Sequence, residues 1–295
     1  MKGRSASAQF ARSADQASAR AGGSHLTRES RDRTLDRLHD RLQDAGYNNL
    51  RSVDQLAVKH VQAYVESRIE DGISPRTLQN ELSHIRSVMN PDRAQAPEMS
   101  NQTLGVDGGS RIGSKTAVTA DELRSWTDQA RDLGREGIAA ALEVSRELGL
   151  RSQEVIRANA EQLRTWSREA AENGRVAVVH GTKGGRVRDT TVVDPARTVA
   201  VLERAAAVAE AQGGHLIARA DGSPAESLKS ATAIYRSYAD RHDIDTHRCR
   251  YAYAREVYQH HRDQGHSHRE ACSRTSVDLG HGDGRGRYVA SVYLR

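Results

Sequence analysis

Apolar residues recur at helical spacing through most of the chain. Leu35, Leu38 and Leu42 line one face of a predicted helix, and the polar "AGYNNL" interrupts the chain after them. The stretch "SVDQLAVKHVQAYVESRIEDG" (52–72) opens on a Ser and Asp cap signal and carries Leu56, Val61, Tyr64, Val65 and Ile69 as its apolar positions. "SPRTLQNELSHIRSVMN" (74–90) follows, with Ser74 as N-cap, Pro75 at the first helical position and Leu78, Leu82, Ile85 and Met89 to bury. Together these predict a small helical bundle over residues 29–92. Residues 1–28 are Ser, Ala, Arg and Gly with almost nothing to bury, the composition of a flexible or weakly helical basic arm. Pro, Gly, Ser and Asn dominate 93–117, which reads as an interdomain linker with little to anchor it.

A second domain, 118–295, is predicted to open on a capping box, Thr119 with Glu122. Its one extended region is "RVAVVHGTKGGRVRDTTVV" (175–193), where Val- and Thr-rich flanks on either side of "GTKGG" predict a β-hairpin with a Gly-containing turn. Helices return in "PARTVAVLERAAAVAEAQ", "SLKSATAIYRSYADRH" and the last third. The fold class expected is mainly α (α+β): a helical N-terminal module, then a mostly helical domain with a small antiparallel sheet.

Composition narrows the class. No run reaches the roughly 18 apolar residues of a membrane helix, and the N-terminus lacks the apolar centre of a secretory signal, so a cytoplasmic protein is expected. Cys249 and Cys272, the two cysteines, make no disulfide framework and fit no paired zinc-ligand spacing, and "GTKGG" lacks the spacing of a nucleotide-binding loop. Neither a metal nor a cofactor is expected. A net charge of +5 and a pI near 9.3 suit a polyanionic partner. The cluster His260, His261, His266 and His268 reads as a solvated helix end and loop.

The chemistry concentrates in five places. In "DIDTHRCRYAYAREVY" (243–258), His247 and Arg250 are spaced to share one helix face, which would suit a phosphate. "LEVSRELGLRSQEVIRA" places Arg151 after an apolar helix and a Gly turn, with Glu154 following; Lys183 sits at the expected hairpin tip. "DLGHGDGRGRYVASVYLR" places His281 after a Leu-Gly turn, with Tyr288 and Tyr293 beyond it. In this order, Gly-Leu-Arg-x-x-Glu, hairpin Lys, His-x-x-Arg, Leu-Gly-His and a late Tyr resemble the catalytic domain of the tyrosine recombinases, the phage integrase family. The "SPRTLQNELSHIRSVM" module resembles that family's SAM-like core-binding domain, so the resemblance covers roughly residues 30–295.

Phosphodiester cleavage builds negative charge on a pentacoordinate phosphorus, and arginine forks suit its oxygens. Arg151 and Arg250 are therefore assigned to the scissile phosphate; the plainer alternative for Arg151 is a salt bridge to Glu154 or Glu147. The resemblance implies Lys183 as the leaving-group acid, His247 and His281 as proton-handling and phosphate-bonding residues, and a tyrosine nucleophile attacking to leave a 3′-phosphotyrosyl link. Arg186 and Arg188 are read as phosphate-backbone contacts, Tyr251 and Tyr253 as packing the helix, and Arg248 as touching backbone or solvent. In the family the tyrosine follows the Leu-Gly-His histidine by about nine residues, whereas Tyr288 and Tyr293 stand seven and twelve residues on. "VYLR" resembles the family's Tyr-Leu-His ending, which favours Tyr293. Five residues apart, about 140° around a helix, the two are expected to face different ways.

The function so implied is a site-specific recombinase that integrates or excises a mobile element. It would act on duplex DNA held in a C-shaped clamp, as a homotetramer on two sites and a monomer when free, associated with the nucleoid. Many relatives continue into a docking tail where this sequence stops, so the arm or the bundle is expected to hold protomers together. A recombinase-like DNA-binding protein without catalysis and a type IB topoisomerase remain the alternatives.

Overall fold

The computed structural model describes residues 5–109, 116–182 and 185–295. Two compact units divide the chain at residues 110 and 111. Among the described residues the fold is helical apart from a two-stranded antiparallel sheet, and no helix is long and apolar enough to cross a membrane.

The first unit contains α1 (Ala6–Arg20), α2 (His25–Asp44), α3 (Val58–Glu70), α4 (Pro75–Arg86) and the single turn α5 (Pro91–Ala94). The expected flexible or weakly helical arm contributes α1, an ordered helix. Its Phe10, Ala14 and Ala17 are buried on α2 and the Val53 turn, with Phe10 stacked on His39 at 4.7 Å. Ser74 caps α4 by accepting from the Thr77 N–H, with Pro75 at the first position. The helix expected from Ser52 starts later. Ser52 and Gln55 cap a separate 3₁₀ turn over Val53–Gln55, Leu56 and Ala57 run extended, and α3 opens at Val58. Leu56 is thus buried outside any helix, and Ile69 is exposed near the end of α3. Part of the expected linker is also anchored: Met99, Leu104 and Val106 enter the core of this unit, and Arg86 donates to the Met99 carbonyl and Asn101 Oδ1. Three apolar side chains in a polar stretch are enough to fold it back.

The second unit contains α6 (Ala120–Asp132), α7 (Glu136–Leu148), α8 (Ser152–Arg157), α9 (Ala160–Asn173), β1 (Arg175–Val178), β2 (Arg188–Thr191), α10 (Pro195–Ala211), α11 (Leu228–Arg241), α12 (His247–Asp263), α13 (His268–Asp278) and α14 (Gly286–Val292). Thr119 and Glu122 form the predicted capping box. Helix α7 runs through the core, buried from Gly137 to Leu148 except at Glu143 and Arg146. Strand β1 pairs with β2 from Arg175↔Thr191 to Val178↔Arg188, and Trp166 of α9 donates to the Ala177 carbonyl at 3.0 Å. The strands are joined by residues 179–187, a longer connection than a tight turn. Lys183 lies outside the described residues.

Helix α7 ends at Gly149, whose φ of 58° is left-handed. A Cβ there would lie 2.3 Å from the Tyr253 ring, so the Gly-Leu-Arg turn depends on backbone packing directly against α12. Gly149→Ala is expected to cost about 3 kcal/mol: roughly 1 for the left-handed residue and 1–3 for overpacking. Thermal unfolding would read it.

Candidate active site

The turn at Gly149 delivers Arg151 to the start of α8. Glu154, fully buried, accepts from the Arg151 N–H at 2.8 Å and from its Nη1 at 2.7 Å. The salt bridge weighed as the plain alternative therefore exists, to Glu154; Glu147 instead takes Arg197 and Thr198. It does not exhaust the fork. The Arg151 Nη2 reaches the Leu279 carbonyl at 3.1 Å, and the side chain stays 23% exposed.

Arg250 approaches from α12 and is entirely buried. Its Nη1 donates to the Gly149 carbonyl and its Nη2 to the Leu279 carbonyl, while Nε has no partner among the described residues. Leu279 thus offers one carbonyl to both arginines. Burial, reinforced by the Arg151 charge, pulls the Arg250 pKa down to about 10. Burial pushes the Glu154 carboxyl up, but the guanidiniums of Arg188, Arg250 and Arg151 together hold it below the usual range. Three cations around one carboxylate leave a net positive site, the field a phosphate would meet.

His281 follows Gly280, which sits at φ 66° at the end of α13, and its N–H donates to the Ser276 carbonyl at 2.9 Å. Its Nε2 lies 3.3 Å from the Tyr293 hydroxyl. Burial, then the nearby Arg250 and Arg151 charges, lower the imidazole pKa to about 3. The ring is therefore neutral near pH 7 and can accept a hydrogen bond from the phenol. Because its ordinary pKa is 6.5, the unfolded chain takes up a proton at His281 between pH 6.5 and 3 while the folded chain does not. Stability should fall as pH drops through that window. Thermal melts from pH 7 to 5 should steepen for the native sequence and flatten for His281→Asn.

His247 opens α12, with its N–H on Asp245 Oδ1 at 3.1 Å and its ring edge-on to Tyr251 at 5.6 Å. Tyr251 in turn packs tilted against Tyr293, ring centres 4.5 Å apart. The Leu279 carbonyl joins Arg151 to Arg250, a direct contact joins His281 to Tyr293, and the two pairs lie close enough for their charges to interact, with His247 one ring away. The two tyrosines do not face apart as expected: the Tyr288 and Tyr293 rings lie 5.4 and 5.9 Å from His281 and 6.1 Å from each other. Tyr293 stands past the end of the short α14, and the length of a phenol closes the remaining angle.

Two readings are corrected. Arg188 is no phosphate-backbone contact but a buried residue bonded to Glu154 at 2.9 Å. His261 is not solvated either: it is buried, 2.8 Å from the buried Asp278 carboxylate, which also accepts from Thr191. Asp278 precedes the Leu-Gly-His turn, and this network ties α12, α13 and β2 behind it. Tyr253 donates to the Thr191 carbonyl at 2.8 Å, and Arg248 holds the Thr116 and Ala117 carbonyls and Glu122.

Known families and structures agree with this architecture. The integrase family matches residues 105–256, and the phage integrase N-terminal family matches residues 8–95. No curated protein matches. The Tn1549 transposon integrase in complex with transposon right end DNA aligns over 97% of this chain and 94% of its own, with a TM-score of 0.62 and 14% identity. A lambda integrase dimer bound to a COC′ core site aligns over 95% and 76%, with a TM-score of 0.58 and 15% identity. With a family match over more than half its length and the fold of those enzymes along nearly all of it, the chain belongs to the phage integrase family, the tyrosine recombinases that break and rejoin DNA.

Proposed function

We propose that this protein is a site-specific integrase that cuts and rejoins duplex DNA through a 3′-phosphotyrosyl intermediate, serving the integration or excision of a mobile element. The observation that carries the reading is the meeting of Arg151, Arg250 and His281 with a phenol, Tyr293, whose hydroxyl lies 3.3 Å from the His281 imidazole. Tyr293 attacks the scissile phosphorus, and its proton passes to His281, whose basicity the incoming phosphate anion restores by offsetting the Arg250 and Arg151 charges that lower it. The P–O bond to the 5′ oxygen breaks, and a proton donor completes the leaving hydroxyl; Lys183 is assigned that part by family resemblance. Arg151 and Arg250 take the charge on the non-bridging oxygens, with His247 beside them. Duplex DNA is the partner, and strand exchange uses four protomers on two sites.

The test starts from a random duplex pool. A duplex retained by the full chain, nicked so that cleavage cannot reverse, should yield a covalent adduct on denaturing gels that peptide mapping places on Tyr293. Burial of Tyr293 and Arg250 favours the second reading, a recombinase-like protein that binds DNA without cutting it. Tight retention with no adduct would select that reading.

A further inference from the structure

Arg188 begins β2 and is almost wholly withdrawn from solvent. Its Nη1 donates to the Asp278 carbonyl at 2.7 Å and to Thr190 Oγ1. Its Nη2 donates to the carbonyls of Leu148 at 3.2 Å and Gly149 at 3.3 Å and to Glu154 Oε2 at 2.9 Å. These acceptors connect closely to the cleavage residues. Glu154 holds Arg151, and the Gly149 carbonyl also takes Arg250. The Asp278 carbonyl lies one residue before the carbonyl of Leu279 that Arg151 and Arg250 share. The aliphatic stem matters as well: a Cβ on Gly280 would come 2.9 Å from the Arg188 Cδ, so the Leu-Gly-His turn rests on that side chain.

We propose that Arg188 is a positioning residue of the cleavage site: from β2 one guanidinium fixes the Gly-Leu-Arg turn against the Leu-Gly-His turn, and so sets the spacing of Arg151, Arg250 and His281. The assignment rests on the phosphotyrosyl reading above. The chemistry asks for arginine. A flat fork with five donors spans acceptors on α7, α8 and α13 at once, whereas a lysine ammonium would supply the charge at one point and leave the rest unheld. A misplacement near 1 Å is enough to cost about a hundredfold in rate.

The test uses the full chain and the nicked duplex retained from the random pool. Arg188→Lys keeps the charge beside Glu154 and loses the span. The pair Arg188→Met with Glu154→Gln removes both charges, so a folded variant is available should the lysine variant unfold. Whichever variant folds should hold the duplex within about threefold of the native chain yet form adduct about a hundredfold more slowly. The His281 imidazole, followed by NMR, should titrate nearer the ordinary histidine range as the turn loosens and admits water. A folded variant that cleaves within about threefold of the native rate, with His281 titrating unchanged, would overturn the proposal. If the native chain itself forms no adduct, the cleavage reading fails, while the His281 titration still decides Arg188: unmoved, it sinks the positioning role.

Discussion

Tyr293→Phe should abolish the covalent DNA adduct while leaving the chain folded and bound to its duplex. The variant keeps the ring that packs against Tyr251 and beside Val289 and Val292, and loses only the hydroxyl facing His281. One such hydrogen bond is worth about 1 kcal/mol to stability. The chemical loss is of another order, because a phenyl ring has no nucleophile to offer; removing a nucleophile costs about 10⁶-fold. Tyr288→Phe is the matched control. It is half-buried against the same histidine, and its loss should leave adduct formation within about threefold. An adduct that survives in Tyr293→Phe and vanishes in Tyr288→Phe would transfer the nucleophile's role to Tyr288.

Glu154→Gln should lower stability by about 3 kcal/mol, or roughly 10 °C for a unit of this size. The neutral amide can still accept from Arg151, but Arg188 would keep a full charge in a site closed to water with no anion beside it. Replacing Arg188 by Met in the same chain should recover part of the loss, because removing both ions is cheaper than stranding one, even though the Asp278, Leu148 and Gly149 carbonyls lose a donor. A double-mutant cycle on thermal melts measures this, and additive losses would refute the coupling.

How far the sequence exposed this arrangement depended on what each side chain buries. Leucine-rich helices such as α2 and α4 announce themselves, whereas α1 shows its core through one Phe and two Ala, Phe10, Ala14 and Ala17, at spacings easily taken for a solvated arm. Ala254, Val257 and His261 lie on one helical face, so the burial of His261 is readable from spacing, although the polarity of its ring and of its neighbours suggests the surface. Arg188 is the least legible of these residues. In β2 the alternation is inverted: Val187, just before the strand, is exposed while Arg188 and Thr190 face inward. A pattern that assigns the inner face to apolar residues turns the strand over, because register decides every side chain at once. The ordered motifs named candidate site residues, with Glu154 beside Arg151 among them; the buried contacts of Arg188 and Asp278 behind those residues came only with the fold.

Leu279 contributes to the site through an atom no codon can change. Arg151 and Arg250 end on its carbonyl oxygen, so a tilt or slide of α13 displaces both cations by the same motion. Lesions spread along that helix should then behave alike, dimming the whole reaction together instead of detuning one arginine at a time.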